Sequence, residues 1–157
     1  LSYDTLLTTL TNQPDSAEQV YTQIKSRGVR QIVFRNAVRK AYSMRCAFTG
    51  IQIPEALEAC HIVPWERATP QQRMDVRNGI LLNSLHHRLF DKGHITVTTD
   101  FQIVCRNPEK KSSGCSDIEV ALTSGLHAKH MDVPRLLLHR PLPANIQQHN
   151  ELGEWEF

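Results

Sequence analysis

The chain has 157 residues, 40% of them hydrophobic and 22% charged, which suits one globular domain with an ordinary apolar core. No apolar run approaches the roughly 20 residues needed to cross a bilayer, and no signal-peptide pattern is present, so membrane and secretory roles are set aside. The net charge of +2 says little about partners by itself; its distribution says more.

The elements follow in chain order. Residues 1–28 read as a helical segment or a linker. Asp15 and Glu18 stand as a capped start, Val20, Tyr21 and Ile24 as an apolar stripe, and Gly28 just past the end. Residues 29–44 form the clearest helix, with Val33, Phe34, Ala37, Val38, Ala41 and Tyr42 on one side and Arg35, Arg39 and Lys40 on the other. The run CAFTG at 46–50 reads as a turn. Residues 57–64 read as a strand ended by Pro64, and 65–77 as a polar loop, irregular or briefly helical over 66–70. Asn78 and Gly79 open a second strand through Ile80, Leu81 and Leu82. Ser84 can cap the helix that follows, and Gly93 ends it.

Residues 94–98 and 101–105 alternate as a β-hairpin around Thr99 and Asp100. A polar loop over 107–116 and a helix over 117–126 come next. Pro134, Pro141 and Pro143 break up the remainder into an irregular tail, in which Leu136, Leu137 and Leu138 read as core or edge packing. The expected class is α+β. The four cysteines (Cys46, Cys60, Cys105 and Cys115) form no Cys-x-x-Cys pair and read as reduced thiols of a cytoplasmic protein. The chain begins at Leu1 rather than Met, so we expect an excised or processed piece, with a further domain upstream.

Three polar residues are placed too specifically to be filler. His61 lies in a short apolar run, Asn78 stands before the second strand, and His87 follows it with Asp91 four residues later. Residues four apart share a helix face, so His87 and Asp91 can hold one ion together. Of the eight histidines, His127, His130, His139 and His149 read as structural or solvated. Over residues 22–45 there are seven basic side chains and no acidic one, which is either a phosphate-binding surface or a solvated helix face.

Five motif pieces stand in order: Phe34 with Arg35, CAFTG at 46–50, ACHIVP at 59–64, Asn78 with Gly79, and LHHRLFDKG at 85–93. Together they resemble the HNH endonucleases, in the branch found in bacterial restriction-type proteins, over about 29–95. The resemblance implies a ββα-metal finger with its core at 46–93 inside a nuclease domain at 29–157. It implies a metal-dependent DNA endonuclease that hydrolyses phosphodiester bonds, as the nuclease domain of a restriction or phage-defence protein.

By the same resemblance His61, Asn78 and His87 are the catalytic residues. His61 is the general base, Asn78 orients it, and His87 with Asp91 binds one divalent ion, with Mg2+ foremost and Zn2+, Mn2+ or Ni2+ as alternatives. DNA contacts are expected from Arg35, Arg39, Lys40, Arg88 and Lys92. Many relatives carry a metal-binding residue directly before the base. Here it is Cys60, a bystander or a ligand that would favour softer ions. Many also hold a structural zinc on four cysteines; here Thr49, Asn83 and His86 stand at three of those positions, so that zinc is lost, with Cys46 and His86 as its remnant. His86 is otherwise a phosphate or support residue. Two other classes remain open: a catalytically silent DNA-binding finger, and a zinc-stabilised interaction module.

Overall fold

The computed structural model describes residues 2–109 and 114–157. It is an α+β fold in which helices enclose a two-stranded finger and a separate hairpin. Helix α1 (Tyr3–Asn12) starts at Ser2, whose hydroxyl accepts from the Thr5 N–H. A 3-10 turn (Pro14–Ser16) separates it from α2 (Ala17–Gln23). The expected cap at Asp15 is not formed, because Asp15 lies inside that turn, where Pro14, lacking an N–H, suits the first position. Gly28 does not close a helix either. It sits in the first turn of α3 (Arg27–Ala41), which starts two residues early because the Ser26 hydroxyl accepts from the Val29 N–H.

All six apolar residues expected along the inner side of α3 are buried, from Val33 to Tyr42. Ser43 and Met44 then take left-handed φ values of 52° and 56°, and the Met44 N–H returns to the Arg39 carbonyl at 2.9 Å, ending the helix without a glycine.

Strand β1 (Leu57–His61) pairs antiparallel with β2 (Gly79–Asn83), placing His61 opposite Gly79 and Cys60 opposite Ile80. β1 ends at His61, three residues short of the expected Pro64. Beyond it the chain wraps around Asn78, with Ile62 N–H donating to the Asn78 main-chain carbonyl at 2.9 Å and Val63 N–H to its side chain at 2.8 Å. The loop between the strands is more ordered than its polarity suggested. Thr69 and Gln72 form a reciprocal capping box that starts α4 (Pro70–Met74), and a 3-10 turn (Val76–Asn78) leads into β2.

Helix α5 (Ser84–Asp91) is capped by Asn83 rather than Ser84, since the Asn83 Oδ1 accepts from the His86 N–H at 3.0 Å. Gly93, at φ 74°, follows its end. The expected hairpin is present as β3 (Ile95–Val97) and β4 (Ile103–Cys105). Of the polar loop expected over 107–116, residues 110–113 lie outside the described residues. Helix α6 (Asp117–Leu122), capped by Ser116, and a 3-10 turn (Ser124–Leu126) follow.

Two expectations for the tail are corrected. The tail closes in a ten-residue helix, α7 (Pro143–Leu152), because Pro143 starts the helix instead of breaking one. Asn150 ties it to the hairpin, accepting from the Thr96 hydroxyl at 2.6 Å and donating to the Val97 carbonyl at 2.9 Å. Leu136, Leu137 and Leu138 are not core; they are 56%, 75% and 45% exposed. No helix among the described residues is long and apolar enough to cross a membrane.

One apolar core joins α1, α2, α3, both strand pairs and α7, through residues such as Leu10, Val20, Phe34, Leu81, Ile95 and Ile146. At Gly79 helix α3 packs directly against the finger. A Cβ there would stand 2.5 Å from Val38 Cγ2 and 3.1 Å from Phe34 Cζ. Gly79→Ala is therefore expected to overpack this contact and lower stability by about 1–3 kcal/mol, read as a lower urea midpoint at unchanged slope.

Candidate active site

An open cleft of about 900 Å³ runs between the outer side of α3 and the finger. His61 lines it from the end of β1 and Trp65 from the turn beyond, His87 and Asp91 line it from α5, and Arg35 lines it from α3. The imidazole of His61 is clamped on several sides. It stacks on Phe34 at 3.8 Å and 10°, meets Trp65 edge-on at 5.8 Å, and its Nε2 lies 2.9 Å from the Arg73 carbonyl oxygen. A carbonyl only accepts, so Nε2 carries the proton in the neutral ring and Nδ1 keeps its lone pair. Arg73 is itself held, donating to the Trp65 carbonyl at 3.0 Å and to the Tyr21 hydroxyl at 2.9 Å. Burial lowers the pKa of His61 below its ordinary 6.5, partly opposed by the Arg73 carbonyl, so the ring is neutral at pH 7.

The Asn78 side chain makes no hydrogen bond to His61. Fully buried, it bridges the two ends of the finger loop. Its Oδ1 accepts from Val63 N–H, and its Nδ2 donates to the carbonyls of Val63 at 3.2 Å and Gln72 at 3.0 Å.

On α5 the expected pair is in place. His87 Nε2 lies 3.2 Å from Asp91 Oδ2, and its Nδ1 lies 3.6 Å from Glu58 Oε2. The bond to Asp91 is the largest cause of a raised His87 pKa. Cys60, buried on β1, points its thiol at Asp91 Oδ1, 3.7 Å away. Ligand-type atoms of Cys60, His87 and Asp91 all lie within 4.8 Å of one another. A sulfur, a nitrogen and a carboxylate oxygen so gathered, beside an open cleft, fit a divalent ion that keeps a position for substrate.

His86 faces the other way. Its Nε2 donates to the Leu122 carbonyl at 2.7 Å, and its Nδ1 accepts from Asn83 Nδ2 at 2.9 Å. The same Asn83 amide reaches Cys46 Sγ at 3.4 Å and Thr49 Oγ1 at 3.2 Å. Cys46, Thr49, Asn83 and His86, where the resemblance implied a lost zinc, are thus joined by hydrogen bonds. No three-ligand group forms around Cys46 and His86 among the described residues.

The basic residues divide. Arg35 is exposed on the cleft wall. Arg39 also lines the cleft, but its Nη2 bonds the carbonyls of Pro54 at 2.8 Å and Leu57 at 3.0 Å, bracing the approach to β1. Lys40, Arg88 and Lys92 are exposed but do not line the cleft. Arg30 covers the Tyr21 ring at 3.6 Å, Arg27 pairs with Glu66 at 3.8 Å, and Arg45 pairs with Asp132 at 3.5 Å. Much of the charge block is therefore engaged within the chain.

The cleft also holds residues that the sequence reading had not placed there, Trp65 and Glu58 among them, and His149, which had been read as structural or solvated. Glu58 was visible in the strand alternation, which puts it on the same side of β1 as Cys60. His149 comes from α7, donating from Nδ1 to the Ile62 carbonyl at 2.8 Å and stacking on Phe90 at 4.1 Å. Its only sequence signal was its place three residues after the buried Ile146.

Together these features define an α+β domain built on a ββα finger. Residues 46–98 match the model of the HNH endonuclease family, which bears out the resemblance seen in the motifs. Among solved structures, a similar fold occurs in a protein described as a modification-dependent TagI restriction endonuclease. The TM-score is 0.51 and the identity 19%, over 76% of this chain and 36% of that one. The chain thus spans about a third of that enzyme's length, and at this identity the likeness is one of fold. No curated protein matches the chain.

The central place of Asn78 has a measurable consequence. Asn78→Ala would strand one buried N–H and two carbonyls, so a loss of about 2–4 kcal/mol in unfolding free energy is expected by denaturant titration.

Proposed function

We propose that this chain is a metal-dependent DNA endonuclease domain that hydrolyses phosphodiester bonds, of the kind that serves in bacterial restriction or phage defence. The observation that carries this reading is one cleft lined both by a neutral histidine with a free Nδ1 lone pair and by His87 and Asp91, which form a donor group with the buried Cys60 behind them. The nuclease unit extends beyond 29–157 to include α1 and α2, whose apolar side chains belong to the same core. The unbridged thiols of Cys46, Cys60 and Cys105 support a reducing, cytoplasmic setting.

In this reading His61 Nδ1 takes the proton of the attacking water, while Phe34, Trp65 and the Arg73 carbonyl hold the ring in one plane and one tautomer. Asn78 acts on the base through the backbone, by fixing where β1 ends. His87 and Asp91 hold the divalent ion. When bound, that ion neutralises charge on the scissile phosphate and eases departure of the leaving oxygen. Arg35 supplies a cation for a neighbouring phosphate.

Three measurements test this. In single-turnover cleavage of plasmid DNA, His61→Ala is expected to be about 10²–10⁴-fold slower than wild type, with metal binding by calorimetry nearly unchanged. Loss of metal binding in a folded His61→Ala protein would make His61 a ligand and sink its role as base. The pH profile follows from the lowered pKa of the buried ring. Only the neutral imidazole accepts a proton, so cleavage stays on its plateau at neutral pH and falls off below about 6.5. An acid limb centred above pH 7 would be inconsistent with this base. For DNA binding, Arg35→Ala is expected to reduce the slope of log affinity against log salt by about one. Arg39→Ala, in contrast, should act mainly through stability.

A further inference from the structure

We propose that Cys60 is a third protein ligand of the ion, and that its thiolate tunes the site toward a borderline transition-metal dication of the zinc type and away from Mg2+. The inference rests on the reading that His87 and Asp91 hold an ion, and adds a ligand and a metal class to it.

A buried cysteine is usually a small hydrophobe. Cys60 is buried, yet its thiol faces polar groups: its Sγ lies 3.5 Å from the His61 carbonyl oxygen and 3.7 Å from Asp91 Oδ1, with Glu58 on the same side of the strand, and its one proton is shared between these acceptors. Burial and the Asp91 carboxylate hold this thiol protonated in the ion-free protein. Entry of a dication replaces that proton: the S–H bond breaks, a sulfur–metal bond forms, and the proton leaves to solvent.

The distances suit this exchange. With metal bonds of about 2.0–2.1 Å to nitrogen or oxygen and 2.3 Å to sulfur, tetrahedral ligand atoms stand roughly 3.3–3.6 Å apart. His87 Nε2 and Asp91 Oδ2 are already at 3.2 Å, and Cys60 Sγ and Asp91 Oδ1 at 3.7 Å. All three donors lie within 4.8 Å, so small side-chain rotations close the set.

The surroundings point the same way. Glu58 faces the second nitrogen of His87 at 3.6 Å, the carboxylate–histidine arrangement that orients a metal-binding imidazole. Three protein ligands leave a fourth position open to the cleft, as in catalytic zinc-type sites. Mg2+ prefers six oxygen ligands and retains several waters; a site with one sulfur and one nitrogen serves it poorly.

The test uses Co2+ as a spectroscopic probe on the metal-free protein. Wild type is expected to show a near-ultraviolet thiolate-to-cobalt charge-transfer band and intense tetrahedral d–d absorption. Cys60→Ala and Cys60→Ser, checked for folding by circular dichroism, should lose the charge-transfer band. Both should still bind Co2+, more weakly by at least about tenfold. By calorimetry, the preference for Zn2+ over Mg2+ should narrow in both variants.

A band that persists without Cys60 arises from another cysteine and overturns the proposal. So does Co2+ binding that depends on His87 but shows no thiolate band in wild type, although the His87 and Asp91 site then stands. If His87→Ala changes the binding of neither Co2+, Zn2+ nor Mg2+, the metal site itself is wrong, and this inference goes with it.

Discussion

The side chain of Asn78 is the contact on which the finger depends. It is completely buried, and its amide joins the chain leaving β1 to the middle of α4, at Gln72. Without it the loop would present unpaired peptide groups to an apolar interior, at a cost of about 1–3 kcal/mol for each. Because β1 and β2 are only five residues each, little else sets where one strand stops and the other starts. The position of His61 follows from that register, which places it opposite Gly79, against the Phe34 ring. Gly79 has no side chain, so α3 comes close enough for Phe34 to pack there.

Two electrostatic environments lie side by side in one cleft. His61 is kept neutral by burial, and its carbonyl partner fixes the tautomer without supplying a charge. His87, a short distance away, stands between two carboxylates and is pushed toward the charged form. Identical side chains are thereby biased in opposite directions: burial favours the neutral ring of His61, and the two carboxylates favour positive charge at His87. The exposed cation of the cleft wall, Arg35, comes from α3, outside the finger, while Arg39 and Arg30 of the same helix are engaged within the chain.

The region around Asn83 shows another means of closing a finger. Here Cys46, Thr49, Asn83 and His86 serve as donors and acceptors for one another. Asn83 is central to it, capping α5 with its oxygen while its amide reaches the other three. Such a cluster is uncharged and buried, so its contribution depends on every group having a partner. The Leu122 carbonyl supplies the last one, which ties α6 to the finger.

The sequence alone determined the parts governed by local periodicity and by motif spacing. The apolar face of α3, α5, the hairpin and the spacing of His87 and Asp91 follow from intervals of two, three or four residues, and the two finger strands from the order of the motif pieces. Chain breaks were less legible. Pro143 and Ser26 start helices where proline and glycine had suggested endings, because a residue that stops one helix also suits the first turn of the next. Only the tertiary structure decided the rest. That Arg39 braces β1 while Arg35 faces the cleft, that Cys60 meets Asp91, and that His149 arrives from α7 depend on contacts between residues 15 to 87 positions apart. Such contacts are set by how helices pack around one core, and no local pattern in the chain encodes that packing.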